Sequence, residues 1–331
     1  MTARDPRGRR PRPRWLVPVL QLAVSAGLLA ALVTVVNWDA LRDAAAALSG
    51  GRLVVVGVLC LATQATLVLR WRALIDMLGV RESWARSWHS VFAGLFLTNF
   101  LPGTLGSDSL RVVLLTKSCG RASIAIGAVA YERLMQLALY VLVVSVAVLA
   151  PMTWLQAWLR AVIVIAGPGA VALLVLILYW LSQRSVADGA GVGRGLLQSA
   201  WRLFATILVE TGRMQTRMRR HRRAALGFWA ANILNVCLIL TIWSVILSDM
   251  GHDIGIPAIM LSAGGAAIAT AVPISLNGIG IFEAMAVTLL NLAGVPASHG
   301  FLLALIIRAL VLATSFVGLP STVLLWRERR S

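Results

Sequence analysis

Acidic residues are scarce in this chain: 13 Asp and Glu among 331 positions, against 30 Lys and Arg. Cysteine and histidine are scarcer, with only Cys60, Cys119 and Cys237 and only His89, His221, His252 and His299. The cysteines are isolated, mostly within apolar segments, and form no CxxC pair, so neither a structural zinc site nor a disulfide framework is indicated. There is no HExxH, and the histidines fall in predicted loops and hairpin entries, where they read as interfacial rather than catalytic. No phosphate-cradling ATP loop and no nucleophile–base constellation is present, so neither a nucleotide, a metal nor another cofactor is indicated.

Charge of either sign is also sparse, at 13% of residues, whereas 59% are hydrophobic and the mean hydropathy is +0.84. Soluble domains are about 45–50% apolar, so the composition is that of an integral membrane protein. The net charge of +17 would suggest nucleic acid in a soluble chain. Here it follows from arginine collecting in cytoplasmic loops, and no nucleic-acid partner is expected.

The expected fold is all-α and polytopic. Full-length apolar runs occupy 15–36, 53–69, 124–149, 160–181, 225–248 and 301–325, giving about six spanning helices. The first has a basic tail (1–14) and no evident cleavage site, so it reads as a retained helix. Two further apolar regions, 88–116 and 257–293, are broken mid-way by Pro, Gly and charge. Each half has about 14 residues and rises about 21 Å, too short for a hydrocarbon core of about 30 Å.

Arginine counting decides whether these two regions cross. If both turn back, the inside holds the basic tail, Arg70, Arg72, Arg81 and Arg86 of loop 70–87, Lys117 and Arg121, the nine Arg of loop 182–224, and the three Arg at the C-terminus. That places 24 basic residues inside and only Arg42, Arg52 and Arg160 outside. A crossing at 88–116 would put the nine-arginine loop outside, against the positive-inside rule. The two regions therefore read as re-entrant hairpins entering from opposite faces, an inverted repeat, with both termini cytoplasmic in the plasma membrane. Such a repeat points to a transporter with its site at the repeat interface. Domain bounds follow: a basic tail 1–14, a membrane domain 15–326, and a short cytoplasmic tail 327–331. Loop 182–224 begins Gly-rich and turns amphipathic (Leu197, Trp201, Phe204, Leu208), as an interfacial helix would.

Asp108, Arg111, Glu132, Arg133, Glu283 and Arg308 fall within these membrane segments. Each costs at least about 2.5–3.5 kcal/mol to insert, so they pair with one another or face a wet cavity. A structural pairing, such as Asp108–Arg111 or Glu132–Arg133, and a substrate-binding role both remain open. In the second role Arg111 and Arg308 would hold a phosphate bidentately, helped by half-helix N-termini after Gly106 and Gly278.

The runs NFLPGTLGSDSLRVVLL, YERLMQLAL and PISLNGIGIFEAM, followed by Arg308, resemble the flippase-like membrane family that includes the transmembrane domain of lysylphosphatidylglycerol synthase. The resemblance covers roughly residues 15–326. It implies translocation of anionic or aminoacylated phospholipids, or of polyprenyl-phosphate-linked sugars, between leaflets. It carries over Asn99, Pro102, Gly106, Asp108, Arg111, Glu132, Arg133, Pro273, Gly278, Gly280, Glu283 and Arg308, with Gly103 and Asn277 at the hairpin turns. Ser107 is inserted before Asp108, and Asn277 stands where glycine is common. The chain stops at Ser331 without the synthase's aminoacyl-transferase domain, so no enzyme activity is expected. The expected partners are a lipid with an anionic headgroup and membrane lipids, with a glycosyltransferase or lipid synthase, or a second copy of the chain, as further candidates. The rival to transport is a non-transporting subunit that docks such an enzyme.

Overall fold

A computed structural model describes residues 16–98, 105–152, 154–183, 196–271 and 275–327, and among them every regular element is helical. In chain order the helices are α1 (Leu16–Val35), α2 (Trp38–Ala47), α3 (Gly50–Leu78), α4 (Trp84–Thr98), α5 (Leu105–Cys119), α6 (Ala122–Ala147) and α7 (Ala157–Ser182). They continue as α8 (Leu196–Arg220), α9 (Arg222–Asp249), α10 (Gly255–Thr270), a 3-10 turn Leu276–Gly278, α11 (Ile281–Leu292), α12 (Ala297–Ser315) and α13 (Gly318–Arg327). Five segments are long and apolar enough to cross a membrane: α3, α6, α7, α9 and the α12–α13 run. A sixth is added if α1 and α2, which meet at 87°, make one broken span. The expected spans 124–149, 160–181, 225–248 and 301–325 match these to within a few residues at each end, whereas 53–69 is too short for α3 and 15–36 covers only the first half of the bent pair.

The largest departure is in α3. The sequence places Arg70 in a cytoplasmic loop starting at residue 70, but the helix runs on to Leu78 and closes at Gly79, whose φ of 71° supplies the left-handed cap. Arg70 is therefore buried two turns inside the helix end. A second buried charge is Glu210, within the amphipathic segment. It is buried where α8 packs on α6 and α7, and it pairs with Arg213 at 2.5 Å. A Cβ on Gly127 would lie 2.8 Å from Glu210, and one on Gly212 only 2.6 Å from the Leu178 carbonyl. Small residues thus bring α8 close to its neighbours. Of the Leu197, Trp201, Phe204 and Leu208 stripe, Phe204 is exposed; the Gly-rich start of that segment lies outside the described residues.

The two broken regions each form a pair of short helices. Thr98 accepts the N–H of Ser107 at 3.0 Å, and a Cβ on Gly94 would lie 2.9 Å from Ser107 Cα, so α5 returns along α4. Gly265 faces Leu289 and Gly278 faces Thr270, so α11 returns along α10. The four helices have 15, 15, 16 and 12 residues, or roughly 18–24 Å, each short of a hydrocarbon core of about 30 Å.

The runs α3–α6 and α9–α12 share one pattern of neighbours. α3 packs along α9; α4 on α5 and α5 on α6 repeat as α10 on α11 and α11 on α12. α10 leans on α6 as α4 leans on α13, the continuation of α12. Close approach again needs small residues: a Cβ on Gly264 would meet Val144 at 2.7 Å, and one on Gly318 would run into the Phe92 carbonyl oxygen. Lipid tails are as apolar as leucine, so such packing and buried polar pairs, rather than apolar burial, hold the helices together.

Of the three arginines expected at the end opposite most of the basic residues, Arg52 and Arg160 serve as ties. Arg160 donates to the Val148 and Ala150 carbonyls at the end of α6 (3.2 and 3.1 Å). Arg52 pairs with Asp249 at 2.9 Å, joining the start of α3 to the end of α9.

Candidate functional site

Two charged centres are built on these helices, and each lies where a second short helix begins beside a long one.

The first centre joins α3, α5 and α6. Asp108 sits in the first turn of α5, where an acid is favoured by the helix dipole. One turn on, Arg111 donates to Asp108 (2.6 Å) and to Glu132 of α6 (2.6 Å), with its guanidinium 4.8 Å above the Trp71 ring. Glu132 also faces Arg70 of α3 at 3.3 Å, and Arg70 donates to Asn232 of α9 at 3.1 Å. Arg70, Arg111, Glu132 and Asn232 are all buried. Arg133, next to Glu132 on the chain, points away from it and holds Asp108 with two bonds, Nε to Oδ2 (3.1 Å) and Nη2 to Oδ1 (2.9 Å). The Asp108–Arg111 pairing expected from the sequence is present. Glu132 and Arg133 do not pair with each other; each reaches a different helix.

The second centre joins the α10–α11 turn to α12. Asn277 has a φ of 51°, and Gly278 and Gly280 have φ of 71° and 86°, so the chain reverses through three left-handed residues. The two glycines take this conformation without strain, and asparagine is the residue that tolerates it best after glycine. α11 starts after Gly280, two residues later than Gly278. Glu283, in the first turn of α11, accepts the Gly280 N–H at 2.6 Å and so caps its own helix. Its other oxygen accepts Arg308 Nε at 2.5 Å, and Arg308 Nη2 donates to the Gly278 carbonyl at 2.8 Å. Gly280 also lies against α1, where a Cβ would be 2.8 Å from that of Leu28.

The two centres share a spacing. Asp108 and Arg133 are 25 residues apart, and so are Glu283 and Arg308. In each, an acid in the first turn of the second short helix holds an arginine on the following long helix, and the acid is the more buried partner. Side-chain exposure is 19% for Asp108 against 44% for Arg133, and 2% for Glu283 against 31% for Arg308. Both guanidiniums therefore keep an edge that the protein does not cover, and among the described residues Nη1 of Arg133 has no partner. Asn99, Pro102, Gly103 and Pro273 lie outside the described residues; Gly106 is in the first turn of α5. Arg70, Trp71 and Asn232 were not among the sequence candidates, and Arg70 turns the first centre into a network of three arginines and two acids. No group of three or more metal-ligating side chains occurs among the described residues.

Comparison with curated proteins finds no match. The family model of the lysylphosphatidylglycerol synthase TM region matches residues 19–318, spanning both centres and every described helix but part of α1 and of α13, and the chain belongs to that family of multi-pass membrane proteins.

Proposed function

We propose that the protein is a lipid translocase: it moves a lipid with an anionic headgroup, either an anionic or aminoacylated phospholipid or a polyprenyl-phosphate-linked sugar, between the leaflets of the plasma membrane. The family relates to lipid modification or transport. The observation that carries the reading is the repeated device, an acid-held arginine with an exposed edge beside the turn of each pair of short helices. Arginine presents a planar fork that matches phosphate bidentately, and a carboxylate behind it fixes its direction.

The shared neighbour pattern of α3–α6 and α9–α12 supports an inverted repeat, with α4–α5 and α10–α11 as re-entrant hairpins. Moving Arg70 into the membrane leaves 23 basic residues assigned to the cytoplasmic face, a balance that supports cytoplasmic termini in this scheme. In this scheme Arg133 and Arg308 contact the phosphate in turn as the repeats rock. Arg70, Arg111 and Glu132 form the fixed frame, and the tails stay in the bilayer. The chain performs no covalent chemistry in this scheme.

The test is transport by the full chain in vesicles carrying phosphatidylglycerol labelled on its acyl chain. Translocation above that of protein-free vesicles supports the proposal. A second reading, a subunit that docks a glycosyltransferase or lipid synthase without transporting, is favoured by the complete internal pairing of the embedded carboxylates. It predicts a co-purifying enzyme and no translocation.

A further inference from the structure

We infer that the arginine-rich face carries a separate site for an anionic phospholipid, in a groove between α3, α9 and the α8–α9 junction. The inference goes beyond the transport proposal and uses none of the residues of the two charged centres. The groove has a volume of about 890 Å³. At its rim stand Arg220, the last residue of α8, and Arg222 and Arg223, the first two of α9, with His221 alone between the helices. Its trough is apolar and shallow because α9 presents Gly227, Ala230 and Ala231 there, opposite Ala73 of α3. Leu69 and Leu234 line its far end, and both are exposed.

Charge and geometry select the occupant. The two arginines that open α9 stand against the preference for acids at a helix N-terminus, and the first turn of α9 contains no acid. That turn also leaves backbone N–H groups without intrahelical acceptors. An anion at the rim resolves both. The other cation there, Arg72, is already committed: it pairs with Asp76 at 3.1 Å, donates to the Glu82 carbonyl and lies 5.5 Å over Trp84. From Arg222 to Leu234 the helix rises roughly 18 Å, about the depth of one leaflet of a core of roughly 30 Å. A phosphate at the rim therefore directs an acyl chain down the trough. Among the described residues, a Cβ on Gly227 would meet nothing within 4 Å, so the trough is open at its centre.

Trp84 lines the groove and is 58% exposed, which makes it the reporter. The full chain is placed in phosphatidylcholine vesicles doped with either phosphatidylglycerol or phosphatidylcholine brominated on the acyl chains. Quenching of Trp84 is taken as the difference from a Trp84→Phe counterpart in each background. Brominated phosphatidylglycerol is expected to saturate this signal at low mole fraction, and brominated phosphatidylcholine is not. Each arginine near an anionic lipid surface contributes about fivefold, so Arg222→Gln with Arg223→Gln weakens the half-saturation point roughly thirtyfold. Seven of the nine arginines of segment 182–224 remain in that variant to hold the topology. Gly227→Leu fills the trough without touching the rim and should abolish the signal while the protein stays folded. Equal quenching by both lipids, or no change in either variant, overturns the site. Release of the quencher by millimolar inorganic phosphate, with no effect of Gly227→Leu, overturns it in favour of a free-anion site.

Discussion

Glu132→Gln removes the one carboxylate that faces both Arg70 and Arg111, at 3.3 and 2.6 Å. In the native network Arg70, Arg111 and Arg133 are balanced by Asp108 and Glu132, a net charge of +1. The substitution leaves three guanidiniums around Asp108 alone, a net charge of +2. Arg70 is affected most, because among the described residues its remaining bond is to Asn232 and its Nε has no partner. Breaking a buried ion pair by removing one partner costs about 3–5 kcal/mol, or roughly 150- to 4,000-fold in the unfolding equilibrium. Adding Arg70→Met returns the net charge to +1 and replaces the stranded cation with an apolar side chain of similar length. The double variant should regain most of the loss, a coupling of about 2–3 kcal/mol. Unfolding in mixed micelles by increasing sodium dodecyl sulfate, followed by tryptophan fluorescence, measures both. A single variant within about 1 kcal/mol of the native protein, or a double variant no more stable than the single, refutes the network as the frame of the first centre.

Close packing makes a paired prediction: Gly318→Ala, which meets the Phe92 carbonyl, should destabilise by about 1–3 kcal/mol, whereas Gly227→Ala, in open space on α9, should stabilise by roughly 0.5–1 kcal/mol in the same unfolding assay. His252 Nε2 lies 2.6 Å from His299 Nδ1, and burial, then the neighbouring His299, hold the His252 pKa below its ordinary 6.5. The unfolded chain thus takes up a proton more readily, so stability present above pH 6.5 should be lost as pH falls toward the depressed folded value; His252→Asn should flatten that dependence in a melting series from pH 8 to 5. Single cysteines at Arg81 and Arg222, in a chain cleared of its native cysteines, should react with an impermeant maleimide from one side, and those at Asp39 and Asp253 from the other; labelling of all four from one side contradicts the proposed membrane orientation.

The spanning helices were legible because a bilayer demands long apolar runs, and α6, α7 and α9 follow directly from them. The two broken regions were legible as well, since proline and glycine mark where helix cannot continue. Arg70 was not, because an arginine after an apolar run reads as a loop. The signal that locates it is further on: Ala73, Leu74, Ile75 and Met77 continue the apolar face, and Gly79 supplies the stop. Aligning the two broken regions on Pro102 and Pro273 sets Arg111 nearly opposite Glu283. The geometry pairs Asp108 with Glu283 and Arg133 with Arg308 instead, a match of roles that sequence spacing from the prolines hides. Glu210 was missed because nothing in an amphipathic helix states which neighbour covers its polar face. Here glycines 127 and 212 bring that cover close.

The most direct test of the central claim compares transport by two neutralised pairs, Asp108→Asn with Arg133→Gln and Glu283→Gln with Arg308→Gln. Each removes one acid-held arginine together with the acid that holds it; in the first pair Arg111 keeps Glu132, which it shares with Arg70, and the network's net charge stays at +1. Reconstituted at equal density, each should move acyl-labelled phosphatidylglycerol at least about tenfold more slowly than the native protein, the loss of at least about 1.4 kcal/mol of headgroup contact, while eluting as a folded species. Transport at the native rate in both variants, or native transport no faster than in protein-free vesicles, contradicts the account.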